Sequence, residues 1–225
     1  MKLRGHIYKY VLIGLTAVAI SVAAVLTGCP IYRIVPLYVS LVVMYLQTRA
    51  SRFSFLLGGC NAAYYAVVYF YLGLYGIALY SLLVASPIQI ITYIRWKKRA
   101  YKHSALLKCL SWKTRLAAVL GFAGVWGLLY LILSGLGSAY LILDNTVSVI
   151  GAAANVASLL YLIEFPYVQC LSLVLNITLY IQMIQNDPKQ LTFLIYTMYA
   201  LTCALISAVY MQKLYNWQKQ EDLTA

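Results

Sequence analysis

The chain has 225 residues, of which 64% are hydrophobic and 10% charged, with a mean hydropathy of +0.82 and a formal charge of +12. A water-soluble domain carries about 25% charged residues, so the composition excludes an ordinary soluble globule. Apolar runs near the ~20 residues needed to cross hydrocarbon as helix recur along it, which reads as an all-α polytopic membrane protein.

In chain order the runs predict eight spanning helices at Tyr8–Leu26, Ile31–Gln47, Phe53–Leu72, Leu74–Ile94, Leu116–Leu133, Val147–Ile163, Tyr167–Ile184 and Leu191–Met211. Gly28 and Pro30, Gly73 and Gly76, Gly135 and Gly137, Pro166, and Asn186-Asp187-Pro188 punctuate them. The first run lacks a small-residue cleavage site before Cys29 and reads as a helix, not a removable leader. The five cysteines are odd in number and lack C-x-x-C spacing, and His6 and His103 sit in basic flanks, so neither set suggests a metal site.

The basic residues give direction. With the N-terminus inside, fifteen of the seventeen lie on the inner side, and only Arg33 and Lys189 face out. Lys97, Lys98, Arg99, Lys102, Lys108, Lys113 and Arg115 crowd one stretch between two apolar runs, a topology signal and not a nucleic-acid surface. Both termini are thus expected in the cytoplasm.

The same basic stretch marks a seam. Residues 31–94 form a first three-helix repeat, 95–115 a basic cytoplasmic loop, 116–140 a linker helix, and 141–213 a second repeat. Residues 1–30 add an extra N-terminal helix, and 214–225 a cytoplasmic tail. An odd linker makes the two triplets run in the same direction in space, a 3+1+3 parallel duplication with its pocket between the halves. Both middle helices carry Asn followed four residues later by Tyr: Asn61–Tyr65 and Asn176–Tyr180.

Mid-helix polar residues in a bilayer face a neighbouring helix or a wet cavity. Asn61, Tyr65 and Tyr69 share a face of the third span, with Val68 expected toward lipid. Gln89 follows Pro87 on the fourth, and Asn155 lies in a stripe with Ser148, Gly151 and Ser158 on the sixth. Gln169, Ser172, Asn176 and Tyr180 align on the seventh, and Thr192 and Tyr196 on the eighth. The candidate substrate-binding residues are therefore Asn61, Tyr65, Gln89, Asn155, Gln169, Ser172, Asn176, Tyr180, Thr192 and Tyr196. Small residues such as Ser148, Gly151, Ser158 and Ser207 suit helix packing instead.

The acids Asp144, Glu164, Asp187, Glu221 and Asp222 all lie at helix ends or in flanks, where they cannot couple protons or sodium at mid-membrane. No phosphate-binding loop or catalytic triad is present. Amides and phenols suit a neutral or weakly cationic aromatic solute bearing hydroxyls, which a facilitator would carry and a mere membrane scaffold would not.

These residues resemble the PnuC-type vitamin transporters. Gly58-x-x-Asn61 followed by Leu74-Tyr75-Gly76, the run Pro87-x-Gln89-Ile90 ending in Trp96-Lys97, Asp144, Glu164, and Leu191-Thr192 with Tyr196 carry the resemblance over about 31–213. It implies a fold related to the SWEET sugar facilitators, a homotrimer, and facilitated diffusion of nicotinamide riboside or a related vitamin, trapped by a cytoplasmic kinase. No cofactor is implied. The family's W-x-x-W-x-x-x-N signature is altered: counted ungapped, its positions hold Pro166, Gln169 and Leu173, and shifted by three they hold Gln169, Ser172 and Asn176. Thiamine, riboflavin or a deoxynucleoside therefore stand beside nicotinamide riboside.

Overall fold

A computed structural model describes residues 4–98, 100–101 and 104–224. Arg99, Lys102 and His103, named above, and Lys2, counted above among the inner basic residues, lie outside the described residues. Eight long helices account for most of the chain: α1 Arg4–Thr27, α2 Ile31–Gln47, α3 Phe53–Tyr71, α4 Tyr75–Lys98, α5 Trp112–Leu136, α6 Leu141–Leu159, α7 Phe165–Ile184 and α8 Leu191–Thr224. Seven are long and apolar enough to cross a membrane, and α2 is a shorter apolar helix of 17 residues. A two-residue β ladder pairs Ala100–Tyr101 with Ser104–Ala105.

Helix ends follow local chemistry. Gly73 and Gly137 adopt left-handed backbone (φ 70 for both) just past α3 and α5, a conformation that costs glycine little. Ser111 caps α5 by accepting from the Thr114 amide, which starts that helix four residues earlier than the expected Leu116. Three further boundaries move. The helix α4 runs on to Lys98, so Arg95, Lys97 and Lys98 occupy its last turn, where cations complement the helix dipole. The sixth helix starts at Leu141, with Asp144 in its first turn, and Glu164 precedes α7 instead of closing α6. The last helix continues past Met211 to Thr224, so 214–224 is helical. No Gly or Pro interrupts it, and Gln218, 5% exposed, accepts from Leu107 N and donates to Ala105 O.

The helix α4 is not uniform. Its segment Tyr80–Ala85 is π-helical and stops two residues before Pro87. Proline has no N–H, and its ring crowds the carbonyl four residues back, so the local hydrogen-bond register widens instead of breaking.

Packing follows a regular pattern. Helix α3 packs on α2 and α4, α7 packs on α6 and α8, and α2 meets α8 while α4 meets α6. Helix α5 lies against α6, and α1 against α8 and α2. One buried apolar cluster includes Leu37, Leu41, Val68, Leu74, Leu179 and Phe193, and a second includes Phe55, Trp96, Leu107, Phe165, Met211 and Leu214. The outer surface is itself apolar: Leu120, Leu128 and Leu131 of α5 are 64–68% exposed. Such a surface suits hydrocarbon and not water.

Candidate functional site

Two adjoining chambers of about 200 and 130 Å³ lie between the α2–α4 and α6–α8 helices. The larger is lined by Ser40, Asn61, Tyr65, Tyr69, Asn176 and Tyr196, among others. The smaller is lined by Phe55, Asn155, Phe165 and Leu173, among others. Gln47, Tyr80, Gln89, Gln169 and Ser172 border both. Together the two fall near the lower end of the ~300–1,000 Å³ usual for small-molecule pockets. No Asp, Glu, Lys, Arg or His lines either chamber among the described residues.

Each wall has a local cause. Gly58 and Gly59 let α4 approach α3: a Cβ on Gly58 would collide with Gln89 Oε1, and one on Gly59 would press Ile90 and the Ser86 carbonyl. Gly151 likewise leaves room for the Tyr80 ring, whose hydroxyl accepts from Asn155 Nδ2 at 2.5 Å. Asn61 donates to Pro36 O at 3.0 Å and Ser40 Oγ at 2.7 Å, and Ser40 donates to Tyr65 OH at 3.2 Å. Asn61 is thereby fixed with its carbonyl oxygen uncommitted. Asn176 donates to Ser172 O at 2.9 Å.

Three glutamines behave differently. Gln169 Nε2 donates to Gln47 Oε1 at 2.8 Å, while Gln169 Oε1 is buried with no hydrogen-bond partner. Gln89, half-buried, makes no side-chain hydrogen bond among the described residues. An unpaired buried amide costs about 1–3 kcal/mol, so these groups are poised for a hydrogen-bonding solute.

Stacked aromatic rings close one side of the larger chamber. Tyr65 and Tyr69 stack at 5.4 Å, Phe193 packs on both, and the Tyr69 and Tyr180 hydroxyls meet at 3.0 Å.

Of the ten sequence-derived candidates, Asn61, Tyr65, Gln89, Asn155, Gln169, Ser172, Asn176 and Tyr196 border the chambers. Tyr180 and Thr192 are not among their lining residues. Tyr180 is 2% exposed and spends its hydroxyl on Tyr69. Thr192 is fully buried, donating to Lys189 O in the turn before α8. Val68 is 1% exposed and does not face lipid. It stands seven residues after Asn61, two helical turns along the same face.

Gln47, Ser40 and Met44 were missed, although they repeat at i, i+4, i+7 from Ser40 and could have been found. Tyr80 was not readable. Nine residues, about two and a half α-helical turns, should put Tyr80 and Gln89 on opposite faces, and the π-helical segment brings both to the chambers.

The acids hold structure. Asp144, fully buried, accepts from Gly76 N and Ile77 N at 2.8 Å each and from Ser138 Oγ at 2.6 Å. Glu164 pairs with Arg115 at 2.7 Å and accepts from Leu110 N. Asp187 pairs with Arg33 at 2.9 Å. Burial raises the Asp187 pKa, but hydrogen bonds from Arg33, Gln190 and the Lys189 amide outweigh it and leave the carboxyl below its ordinary range.

The family model described as "Nicotinamide mononucleotide transporter" matches residues 31–219. A solved structure described as "Crystal structure of the Vitamin B3 transporter PnuC" superposes with a TM-score of 0.80 at 20% identity, covering 94% of this chain and 93% of that one. No curated protein matches the chain by sequence.

Proposed function

The chain belongs to the nicotinamide mononucleotide transporter family, and from that premise we propose that it is a facilitator carrying nicotinamide riboside, or a related vitamin-like nucleoside, down its gradient across the plasma membrane. The observation that carries this reading is the uncharged lining of the two chambers, with the Gln89 amide and the Gln169 carbonyl oxygen unpaired among the described residues. A sugar hydroxyl or ring amide finds partners there, and tyrosine faces suit a cationic ring at about 0.5–2 kcal/mol. A phosphate would enter without a cation to meet it, which is costly in a water-poor site.

The two three-helix units act as a parallel duplication about this pocket. The packing pattern supports this, because exchanging α2, α3, α4 with α6, α7, α8 maps each contact among these six helices onto another. With both termini cytoplasmic, the basic end faces the cytoplasm. Transport needs neither ion nor ATP, a cytoplasmic kinase traps the solute, and the protein assembles as a homotrimer. The lack of tryptophan in either register, Pro166 and Gln169 or Gln169 and Ser172, favours a second reading within the same class: thiamine, riboflavin or a deoxynucleoside as solute.

Uptake of labelled nicotinamide riboside, thiamine, riboflavin and deoxynucleosides into cells lacking their own carriers tests the reading. Saturable uptake of one of them is expected. If none moves while the protein is present in the membrane, the transport reading fails.

A further inference from the structure

Two short side-chain hydrogen bonds cross from α7 to the first three helices, toward opposite ends of the larger chamber. One is the amide pair Gln169–Gln47 at 2.8 Å. The other is the phenol pair Tyr180–Tyr69 at 3.0 Å. Gln169 and Tyr180 stand eleven residues apart on α7, about 16 Å at 1.5 Å per residue, and Ser172 and Asn176 between them line the chamber.

The two contacts sit toward different ends of the bundle. Gln47 ends α2, and Gln169 lies in the second turn of α7, beside the basic end that also holds Phe55, Trp96 and Phe165. Tyr69 and Tyr180 lie near the other ends of α3 and α7, under Phe193 and toward the Arg33–Asp187 pair. Close packing of α7 is with α6 and α8, so moving α7 away from the first unit breaks these two hydrogen bonds together with the Gln169–Met44 contact at 3.7 Å and the Phe55–Phe165 ring contact at 5.9 Å.

Gln47–Gln169 also stands where the chambers adjoin, since both residues border both. Separating the amides would join the 200 and 130 Å³ spaces toward the basic end. It would also release Gln169 to a solute.

We infer that Gln47–Gln169 is the gate of the pocket on the basic side and Tyr69–Tyr180 the gate on the opposite side, each a single neutral hydrogen bond. This rests on the transport reading above and adds the residues that alternately seal the site. Neutral gates suit an uncoupled carrier. An ionic latch would bind its two walls strongly and need a charge to release it, whereas one neutral hydrogen bond opens within thermal reach. Both contacts use side chains that substitution can weaken without emptying the apolar core.

Cysteine labelling tests the assignment without any solute. Ala62→Cys, in the lining of the larger chamber, serves as reporter in a chain with Cys60 and Cys109, the exposed cysteines, replaced by serine. A membrane-impermeant methanethiosulfonate is applied from either face of sealed vesicles. Labelling of native Cys109 in a companion preparation marks the face of the basic end.

Gln47→Ala should speed labelling from the basic face by about two- to ten-fold, the effect of one lost neutral hydrogen bond, with little change from the other face. Tyr180→Phe should do the reverse. Gln169→Leu and Tyr69→Phe provide second variants at each gate, should either first variant fold poorly. Equal acceleration from both faces, or no acceleration in either variant of a pair, overturns the assignment. Because labelling needs no substrate, gating can fail while uptake is observed, and uptake can fail while gating is observed.

Discussion

The carboxylate of Asp144, in the first turn of α6, accepts the backbone N–H of Gly76 at 2.8 Å and thereby caps the start of α4. A helix N-terminus leaves amides without intrahelical partners, and a buried anion is their best complement. One half of the bundle thus closes a helix of the other. A Cβ at Gly76 would lie 3.0 Å from Asp144 Oδ2 and from Ser148 Oγ, and 2.8 Å from Leu133 Cδ1, so glycine leaves the room this approach needs.

Asp144→Asn should therefore destabilise the fold by about 1–3 kcal/mol. The amide can accept through one oxygen only, and its NH2 opposes a backbone donor. The expected outcome is a lower melting temperature in detergent, read by size-exclusion recovery after heating. An unchanged melting temperature would mean the cap contributes little.

Gln89→Ala should weaken uptake at low substrate about five- to hundred-fold, the loss of one buried hydrogen bond worth about 1–3 kcal/mol. Gly58→Ala should act similarly, because its methyl would displace the Gln89 carboxamide. Val67→Ala, at a position 58% exposed on the outer face of α3, should leave uptake unchanged. Normal uptake by Gln89→Ala, with poor recovery from detergent, would make that amide a packing contact and not a binding group.

Acid should loosen the end of the bundle held by Arg33 and Asp187. The folded Asp187 pKa is depressed, so its stabilisation is fully present above the unfolded value of about 3.9 and is lost as pH falls through the folded value. Asp187→Asn should remove this acid dependence and lower stability at neutral pH. Thermal melts between neutral pH and pH 3 on both proteins check it, and parallel pH curves would contradict it.

Transport should run downhill and ignore a collapsed proton gradient. No titratable carboxylate, imidazole or amine lines the chambers among the described residues, and moving a proton across the membrane needs such a group near the solute. Counterflow in vesicles without kinase, with and without a protonophore, measures this. Accumulation of unmodified solute above equilibrium would refute it.

Much of this was legible in the sequence because hydrocarbon is an undemanding solvent. Length and hydropathy alone place the helices, and a period of 3.6 aligns Asn61 with Tyr65 and Gln169 with Asn176. Periodicity gives a face but not a depth, so Tyr180 joined the stripe although it lies beyond the chamber against Tyr69. It also assumes regular helix, and the π-helical segment before Pro87 defeats that assumption at Tyr80. Gln47 went unread because a polar residue at a helix end looks like a boundary. The extension of α8 was hidden because leaving the membrane and ending a helix are different events, which Gln218 separates by binding the 105–107 backbone.

The central claim is that an uncharged pocket between the two three-helix units selects a nucleoside without phosphate. Calorimetric titration of the purified full-length protein with nicotinamide riboside and with its 5′-phosphate tests it most directly. The account predicts saturable binding of the riboside, weakened by Gln89→Ala, and binding of the phosphate at least about a hundred-fold weaker, as about 3 kcal/mol of uncompensated charge burial requires. Equal or tighter binding of the phosphate would contradict it.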